Sequence, residues 1–381
     1  MRRYKVVVCG TAYGQVYLSS FLRNSRFSLA GIMGKGSERT KLFAREFGVP
    51  AYQTVKEIPD TVDIACVAIR STIAGGDGSF IARELLEKGI HVIQEHPLHG
   101  RDIEESLRVA TRKGVRFHVN SHYVNVEPIR TFIDYAQKMV KHSGAPLYIA
   151  ATAAPQTTYS LLDIIARILG GVKEFAYTPP MSWNEACLQA HRGELFPFMC
   201  LQGVLQGVPV TFHLQNFIDS KQFDNHYLAM HRLTVGSESG SISLLNTHGP
   251  VVWADSFSIE ENLQETSFRN RKSAFLQYKK PTAITFTPQL APSLAQIARQ
   301  EWPAAIAKAL DEMAGDIEAG EVPYGQSAEY LGELSAAWLE LTKVIGDTPD
   351  MRLSCAPPAF PDPLEYFHSI HDDEVNRNGP N

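Results

Sequence analysis

The sequence predicts an α/β fold in two parts: an N-terminal doubly wound parallel sheet, then a C-terminal α+β domain with an open, mostly antiparallel sheet. Three observations predict it. The apolar run Val6–Gly14 (V-V-V-C-G-T-A-Y-G) breaks on glycines and leads straight into Gln15-Val16-Tyr17-Leu18: a strand, a tight turn and a helix start. The first 120 residues then repeat strand and helix with a regular beat, the pattern of a parallel sheet with right-handed crossovers. Beyond residue 147 the pattern changes to strands punctuated by Gln206-Gly207 and Ser239-Gly240, hairpin signals that favour antiparallel neighbours.

In order, Lys5–Cys9 reads as a strand and Gly14–Arg23 as a helix. Ser28–Met33 is the second strand, and Ser37–Phe47 a helix with Ser37 as N-cap, its hydroxyl suited to an orphan backbone N–H. Asp63–Ile69 (D-I-A-C-V-A-I) is continuously apolar in its centre, as a strand buried on both faces must be. A helix over Phe80–Lys88 stops at Gly89, a strand covers His91–Gln94, a helix over Ile103–Lys113 stops at Gly114, and Arg116–Asn120 is a strand. Residues 1–122 thus read as a Rossmann domain. In the second part, Leu147–Ala154, Val208–Gln215, His231–Val235, Gly240–Leu245 and Val251–Ala254 read as strands. Helices are expected at Leu294–Ala319 (Pro303 marking a kink or a start) and Ala328–Val344. Residues 123–346 form the expected substrate and dimerisation domain. From Asp347 the chain is rich in Pro, Asp and Asn without periodicity, which predicts a mobile tail over 347–381.

Bulk chemistry narrows the function class. A net charge of −5 gives no footprint for nucleic acid or an anionic membrane surface. No apolar run reaches the roughly 18 residues a membrane span needs. Met1-Arg2-Arg3 precede Val6–Cys9, but that run is too short for a signal-peptide core. The cysteines Cys9, Cys66, Cys187, Cys200 and Cys355 are scattered, odd in number and never in C-x-x-C spacing. The expectation is a cytoplasmic protein with neither a disulfide framework nor a metal site.

The opening motif carries chemistry. Glycine lets the backbone approach a pyrophosphate, and free N–H groups at the following helix start meet its charge. Gly10, Thr11, Ala12, Tyr13 and Gly14 are the candidate contacts. The pattern is loose: with Gly14 as the last glycine of G-x-G-x-x-G, Cys9 and Thr11 occupy the other glycine positions, and Gly10 sits one place off. A tight strand-to-helix turn that binds nothing has the same local sequence. After the second strand an NAD site normally offers an acid to the ribose 2′-hydroxyl. Here the chain reads Gly34-Lys35-Gly36-Ser37-Glu38-Arg39. A small residue at the strand end, then Lys35, Gly36, Ser37 and Arg39, suits a 2′-phosphate, so NADPH is the expected cofactor; Glu38 is a counter-signal.

Val67–Leu98 contains V-A-I-R-S-T, a helix, and then K-G-I-H-V-I-Q-E-H-P-L. This order resembles the Gfo/Idh/MocA-like NAD(P)-dependent oxidoreductases, whose hallmark ends in E-K-P, from residue 4 to about residue 345. The resemblance implies cofactor contacts from Arg70, Ser71, Glu95, His96 and Pro97, with His96 in place of the family lysine and a proline that commonly takes a cis bond. It also implies that Leu161–Gly170 (L-L-D-I-I-A-R-I-L-G) is the family's second-domain helix, with Asp163 matching a later family aspartate. That places the Asp and His of the sugar and polyol dehydrogenases on Gln156 and Ser160, neither of which does acid–base work near neutral pH. Glu95-His96-Pro97, the G-T-x-Y-G-Q start, the absent Asp/His pair and His122-Tyr123-Val124-Asn125 after the last Rossmann strand are together similar to the thiazolinyl imine reductases of nonribosomal siderophore assembly. That resemblance implies reduction of a thiazoline C=N on a carrier-protein-tethered intermediate by a homodimer, with Tyr123 or His96 supplying the proton. A sugar or polyol dehydrogenase of the same fold and a catalytically silent nucleotide-sensing regulator are the alternatives.

Overall fold

The computed structural model describes residues 2–21, 25–192, 196–222, 227–256, 281–352, 363–365 and 367–368. Strand β1 (Tyr4–Cys9), buried except at Lys5, turns at Gly10 into α1 (Gly14–Ser20). The chain continues through β2 (Phe27–Met33), α2 (Glu38–Phe47), the short β3 (Ala51–Tyr52), β4 (Ile64–Val67), α3 (Gly78–Glu87), β5 (His91–Glu95), α4 (Gly100–Lys113) and β6 (Phe117–Asn120). These strands form one parallel sheet in the order β3-β2-β1-β4-β5-β6. The strand order reverses between β1 and β4, which opens a crevice at their carboxyl ends. Ser37 caps α2 as expected, its hydroxyl accepting the Thr40 N–H at 3.3 Å. The first helix ends at Ser20, short of the expected Arg23, which lies outside the described residues.

Helix α5 (Glu127–Ser143) leads into the second sheet. Its elements are β7 (Tyr148–Ala153), α6 (Thr158–Leu169), β8 (Phe175–Tyr177), α7 (Glu185–Ala190), β9 (Phe198–Leu205), β10 (Val208–Gln215), β11 (His231–Ser237), β12 (Gly240–Leu244), β13 (Val251–Asp255) and β14 (Ala283–Thr285). The strand order is β14-β13-β12-β11-β7-β10-β9-β8. Only β7 and β10 pair in parallel; the other neighbours are antiparallel. Gln206 and Gly207 both have positive φ, the geometry of a two-residue type I′ hairpin between β9 and β10. Helices α5 and α7 and strands β3, β8, β9 and β14 are absent from the sequence reading. For α5 a signal is present: Ile129, Phe132, Ile133, Ala136 and Met139 recur at helical spacing and are buried.

The chain then returns to the first sheet. A helical turn at Leu294–Gln296 and a π-helical turn at Ile297–Glu301 lead into α8 (Trp302–Ala319), where Pro303 marks a start and not a kink. Although the sequence reading groups this helix with the second domain, Ile306, Leu310, Met313 and Ala314 pack with Val6, Val8, Tyr17 and Ile64 over one face of the Rossmann sheet. Helix α9 (Ala328–Ile345) lies against both α4 and α6. At the start of the expected tail, Ile218 N–H donates to the Pro349 carbonyl at 3.0 Å, and Met351 N–H to the Ile218 carbonyl at 2.8 Å. Residues 353–362, 366 and 369–381 of that expected tail lie outside the described residues. No helix among the described residues is long and apolar enough to cross a membrane.

Candidate active site

A cavity of about 750 Å³ opens at the carboxyl ends of the first sheet and reaches the start of α6. Of the sequence-predicted residues, Gly10, Thr11, Ala12, Tyr13, Lys35, Ser37, Arg39, Arg70, Ser71, Glu95, His96, Pro97 and Tyr123 line it. Gly14 and Gly36 do not: Gly14 packs behind the turn as the first residue of α1, and Gly36 lies beside the Gln53 side chain. Gly10 is the glycine this turn requires. Its φ is +96°, and a Cβ there would stand 2.6 Å from the Ala68 carbonyl oxygen at the end of β4. The mismatch with G-x-G-x-x-G thus reflects a turn built on a glycine at a different place.

At the β2 end, a Cβ on Gly34 would meet Thr40 Oγ1 at 2.6 Å, so the strand-end position has no room for an acid. Thr40 also links Ser37 (3.0 Å) and Thr11 (3.3 Å), joining the two loops that floor the cavity. Lys35 and Arg39 are exposed at this end. Lys35 Nζ pairs with Asp77 Oδ2 at 2.8 Å; Arg39 makes no ion pair among the described residues. The volume, the glycine turn and the cation pair fit a dinucleotide lying along the strand ends.

The opposite end is held by a buried hydrogen-bond network. His96 precedes a cis proline, and its Nδ1 lies 3.0 Å from the Asn120 carbonyl oxygen and 3.2 Å from Glu95 Oε1. Both neighbours only accept, so Nδ1 carries a proton, and Nε2 is the nitrogen left for a substrate. Glu95 is fixed in turn: Oε2 accepts from the Tyr17 hydroxyl and from Asn120 Nδ2 at 3.3 Å, while Asn120 Nδ2 also donates to the Tyr17 hydroxyl at 2.7 Å. Burial, and next the Glu95 charge, hold the Tyr17 phenol well above its ordinary pKa, so it stays a donor. Tyr159 stacks on His96 at 5.3 Å, and Ser71 Oγ donates to the Pro97 carbonyl at 2.5 Å.

Tyr123 is presented by a strained turn. His122 has φ 54° and ψ −61°, and the Tyr123 N–H donates to the Ser121 carbonyl at 2.6 Å. This is a γ-turn of the rare, strained sort, costing on the order of 1–3 kcal/mol, which surrounding contacts must offset. They are present. Asn120 Oδ1 accepts the His122 N–H at 3.1 Å, and the Ser121 hydroxyl donates to buried Asp163, which also accepts from the Tyr330 hydroxyl (2.5 Å) and Arg167 Nε (3.0 Å). The Tyr123 ring lies 4.8 Å from His231, 5.1 Å from His122 and 6.5 Å from His96.

These histidines differ in kind. Burial, reinforced by neighbouring imidazoles, lowers both His122 and His231 to about 3, so both are neutral at pH 7. His231 Nε2 meets Ser160 Oγ at 2.8 Å and Nδ1 meets Thr247 Oγ1 at 3.1 Å. Ser160 is therefore part of the core behind Tyr123, whereas Gln156 and Thr157 line the cavity. Sequence reasoning missed Tyr17, Asn120, Tyr159 and His231 because each reaches the site from a different element. Only Asn120, beside the His122-Tyr123 motif, carried a local signal.

Residues 4–121 match the oxidoreductase family with an NAD-binding Rossmann fold, Gfo/Idh/MocA, and residues 144–254 match the Irp3-like thiazolinyl imine reductase C-terminal domain. No curated protein matches the chain in sequence. Among solved structures, an oxidoreductase from Agrobacterium radiobacter, in complex with NAD+, L-tartaric acid and magnesium, is similar at 12% identity and a TM-score of 0.63, over 88% of this chain and 94% of that one. A 3-ketoreductase from Actinomadura kijaniata in complex with TDP-benzene and NADP is similar at 16% identity and a TM-score of 0.60, over 88% and 96%. The UDP-N-acetylglucosamine 3-dehydrogenase of Acidithiobacillus ferrooxidans is similar at 13% identity and a TM-score of 0.60, over 89% and 96%. At these identities the structures establish the shared fold alone. Residues 4–121 are thus of the Gfo/Idh/MocA NAD-binding Rossmann type, and residues 144–254 of the Irp3-like thiazolinyl imine reductase C-terminal type.

Proposed function

We propose that this oxidoreductase uses NADPH to reduce a thiazoline C=N to a thiazolidine on an intermediate tethered to a nonribosomal peptide synthetase carrier protein. The observation that carries the reading is the convergence of His96 and Tyr123 at the cavity end away from Arg39, while Ser160 is withdrawn into the core. Polyol oxidation needs a base where this chain has Gln156 and Ser160, and neither accepts a proton near neutral pH.

Bound NADPH supplies a hydride from nicotinamide C4 to the imine carbon. The chain must then place a proton on the ring nitrogen. His96 is suited to this: with Nδ1–H committed to the Asn120 carbonyl, a second proton on Nε2 makes an imidazolium whose charge the adjacent Glu95 carboxylate meets. Tyr123, flanked by two imidazoles that burial keeps uncharged, is the alternative donor to the single lone pair of the imine nitrogen. The open face of the second sheet, where Tyr148 and Val204 are exposed, is the proposed homodimer surface.

The test follows NADPH absorbance with an aryl-thiazoline thioester as carrier mimic, and NADP+ reduction with sugars and polyols. Oxidation of NADPH by the thiazoline alone is expected. Turnover of polyols alone would replace this reading with the dehydrogenase, and cofactor binding without either activity would replace it with a nucleotide sensor. Sedimentation of the purified chain checks the dimer.

A further inference from the structure

The cations that suit a 2′-phosphate lie close together in sequence, but the fold sets a carboxylate from a distant segment beside one of them. Asp77, immediately before α3, is paired with Lys35, and Glu84 on α3 lines the same cavity. The Lys35 side chain is 85% exposed and that of Asp77 42%, so the pair is solvated. The Lys35 hydrogen bond holds the Asp77 carboxyl below its usual range, so Asp77 is an anion at neutral pH. Arg39, on the first turn of α2, has no such counter-charge among the described residues.

A 2′-phosphate carries about −1.5 to −2 charges at pH 7. Placed against Lys35 it meets the Asp77 carboxylate as well, and the two anions compete for one ammonium. We propose that Asp77 is a specificity-determining residue: it takes up the charge of Lys35 and repels a 2′-phosphate, so that preference for NADPH over NADH rests on Arg39 and is limited by Asp77. The inference rests on the reading of this cavity as an NADPH site. The β2–α2 loop alone implies a strongly cationic pocket; with the β4–α3 segment folded against it, one of its two cations, Lys35, faces the Asp77 carboxylate.

Binding constants test this without a substrate. Dissociation constants for NADPH and NADH, by nicotinamide fluorescence, and for 2′,5′-ADP against 5′-AMP, by calorimetry, are measured on the parent, Asp77→Asn and Asp77→Ser at low and high salt. Removing the carboxylate is expected to tighten NADPH and 2′,5′-ADP about three- to tenfold at low salt, with the gain fading at high salt. NADH and 5′-AMP should not change. Weaker NADPH binding in both variants would overturn the proposal, since Asp77 would then be orienting Lys35 onto the phosphate. Equal shifts for both cofactors, or none, would overturn it too. Arg39→Ala separates the two levels of the argument. If the parent does not distinguish the cofactors and Arg39→Ala changes neither, the cofactor reading fails. If Arg39→Ala abolishes the preference while both Asp77 variants leave it intact, only the role of Asp77 fails.

Discussion

The two ends of the cavity are built on opposite principles. At the end proposed for the adenosine, Lys35 on the β2–α2 loop and Arg39 on the first turn of α2 are exposed, and their partners are solvent or a single surface carboxylate. At the end proposed for the nicotinamide, His96 and Tyr123 are each fixed by buried groups from several elements: Tyr17 from α1, Asn120 from β6, Asp163 from α6, His231 from β11 and Tyr330 from α9. Binding a charge tolerates a loose, screened arrangement, because Coulomb attraction falls off slowly with distance. Proton transfer requires donor and acceptor at hydrogen-bond distance, so that end must be pre-organised.

Breaking the nicotinamide end should therefore give the largest effects. His96→Ala is expected to lower kcat by about 10²–10⁴-fold with NADPH affinity intact, the usual size for a general acid. Tyr123→Phe, which removes only a hydroxyl, should cost less if His96 is the donor. A collapse of Tyr123→Phe beside a mild His96→Ala would reverse the roles.

The same burial makes that end acid-sensitive. Above pH 6.5 His122 and His231 are neutral in the folded and unfolded chain alike. As pH falls from 6.5 towards about 3, the unfolded chain binds protons that the folded site refuses, so stability is lost across that window. The loss is about 3 kcal/mol for each histidine by pH 4. Melting curves between pH 7 and 4 should show a steep fall in Tm, shallower in His231→Phe; equal slopes would mean that His231 is not held neutral.

The adenosine end should respond less. Arg39→Ala loses one charge-assisted contact, about 1.5–3 kcal/mol, or roughly ten- to hundredfold in NADPH affinity, with NADH unaffected. Titration with both cofactors checks it, and a parallel loss for NADH would show that Arg39 contacts something other than the 2′-phosphate. The smallest effect is expected at Ser160→Ala. Thr247 still holds the His231 ring, so turnover should stay within about tenfold, or 1.4 kcal/mol. A loss of several orders of magnitude, with NADPH still bound, would return Ser160 to the chemistry.

Local pattern was enough for much of this molecule. The strand–turn–helix beat fixes the parallel sheet, because a helix between consecutive strands leaves the chain few ways to cover both faces. The Ser37 cap, the Gln206-Gly207 turn and the helix stops at Gly89 and Gly114 are set by residues adjacent in sequence. His96 and Tyr123 were named through the resemblance, by the Glu95-His96-Pro97 motif and the His122-Tyr123-Val124-Asn125 run, and both lie past the carboxyl ends of parallel strands, where such folds place their ligands. Tertiary structure alone decided the rest. It turned Gly10 from an off-pattern glycine into the required one, through a carbonyl at Ala68 on another strand. It made Ser160 a support for His231, brought Asp77 to Lys35, and folded α8 back over the first sheet. Each of these depends on a contact between residues far apart in the chain. Their short-range sequence carries no trace of the partner, since burial and charge compensation exist only once the elements have packed.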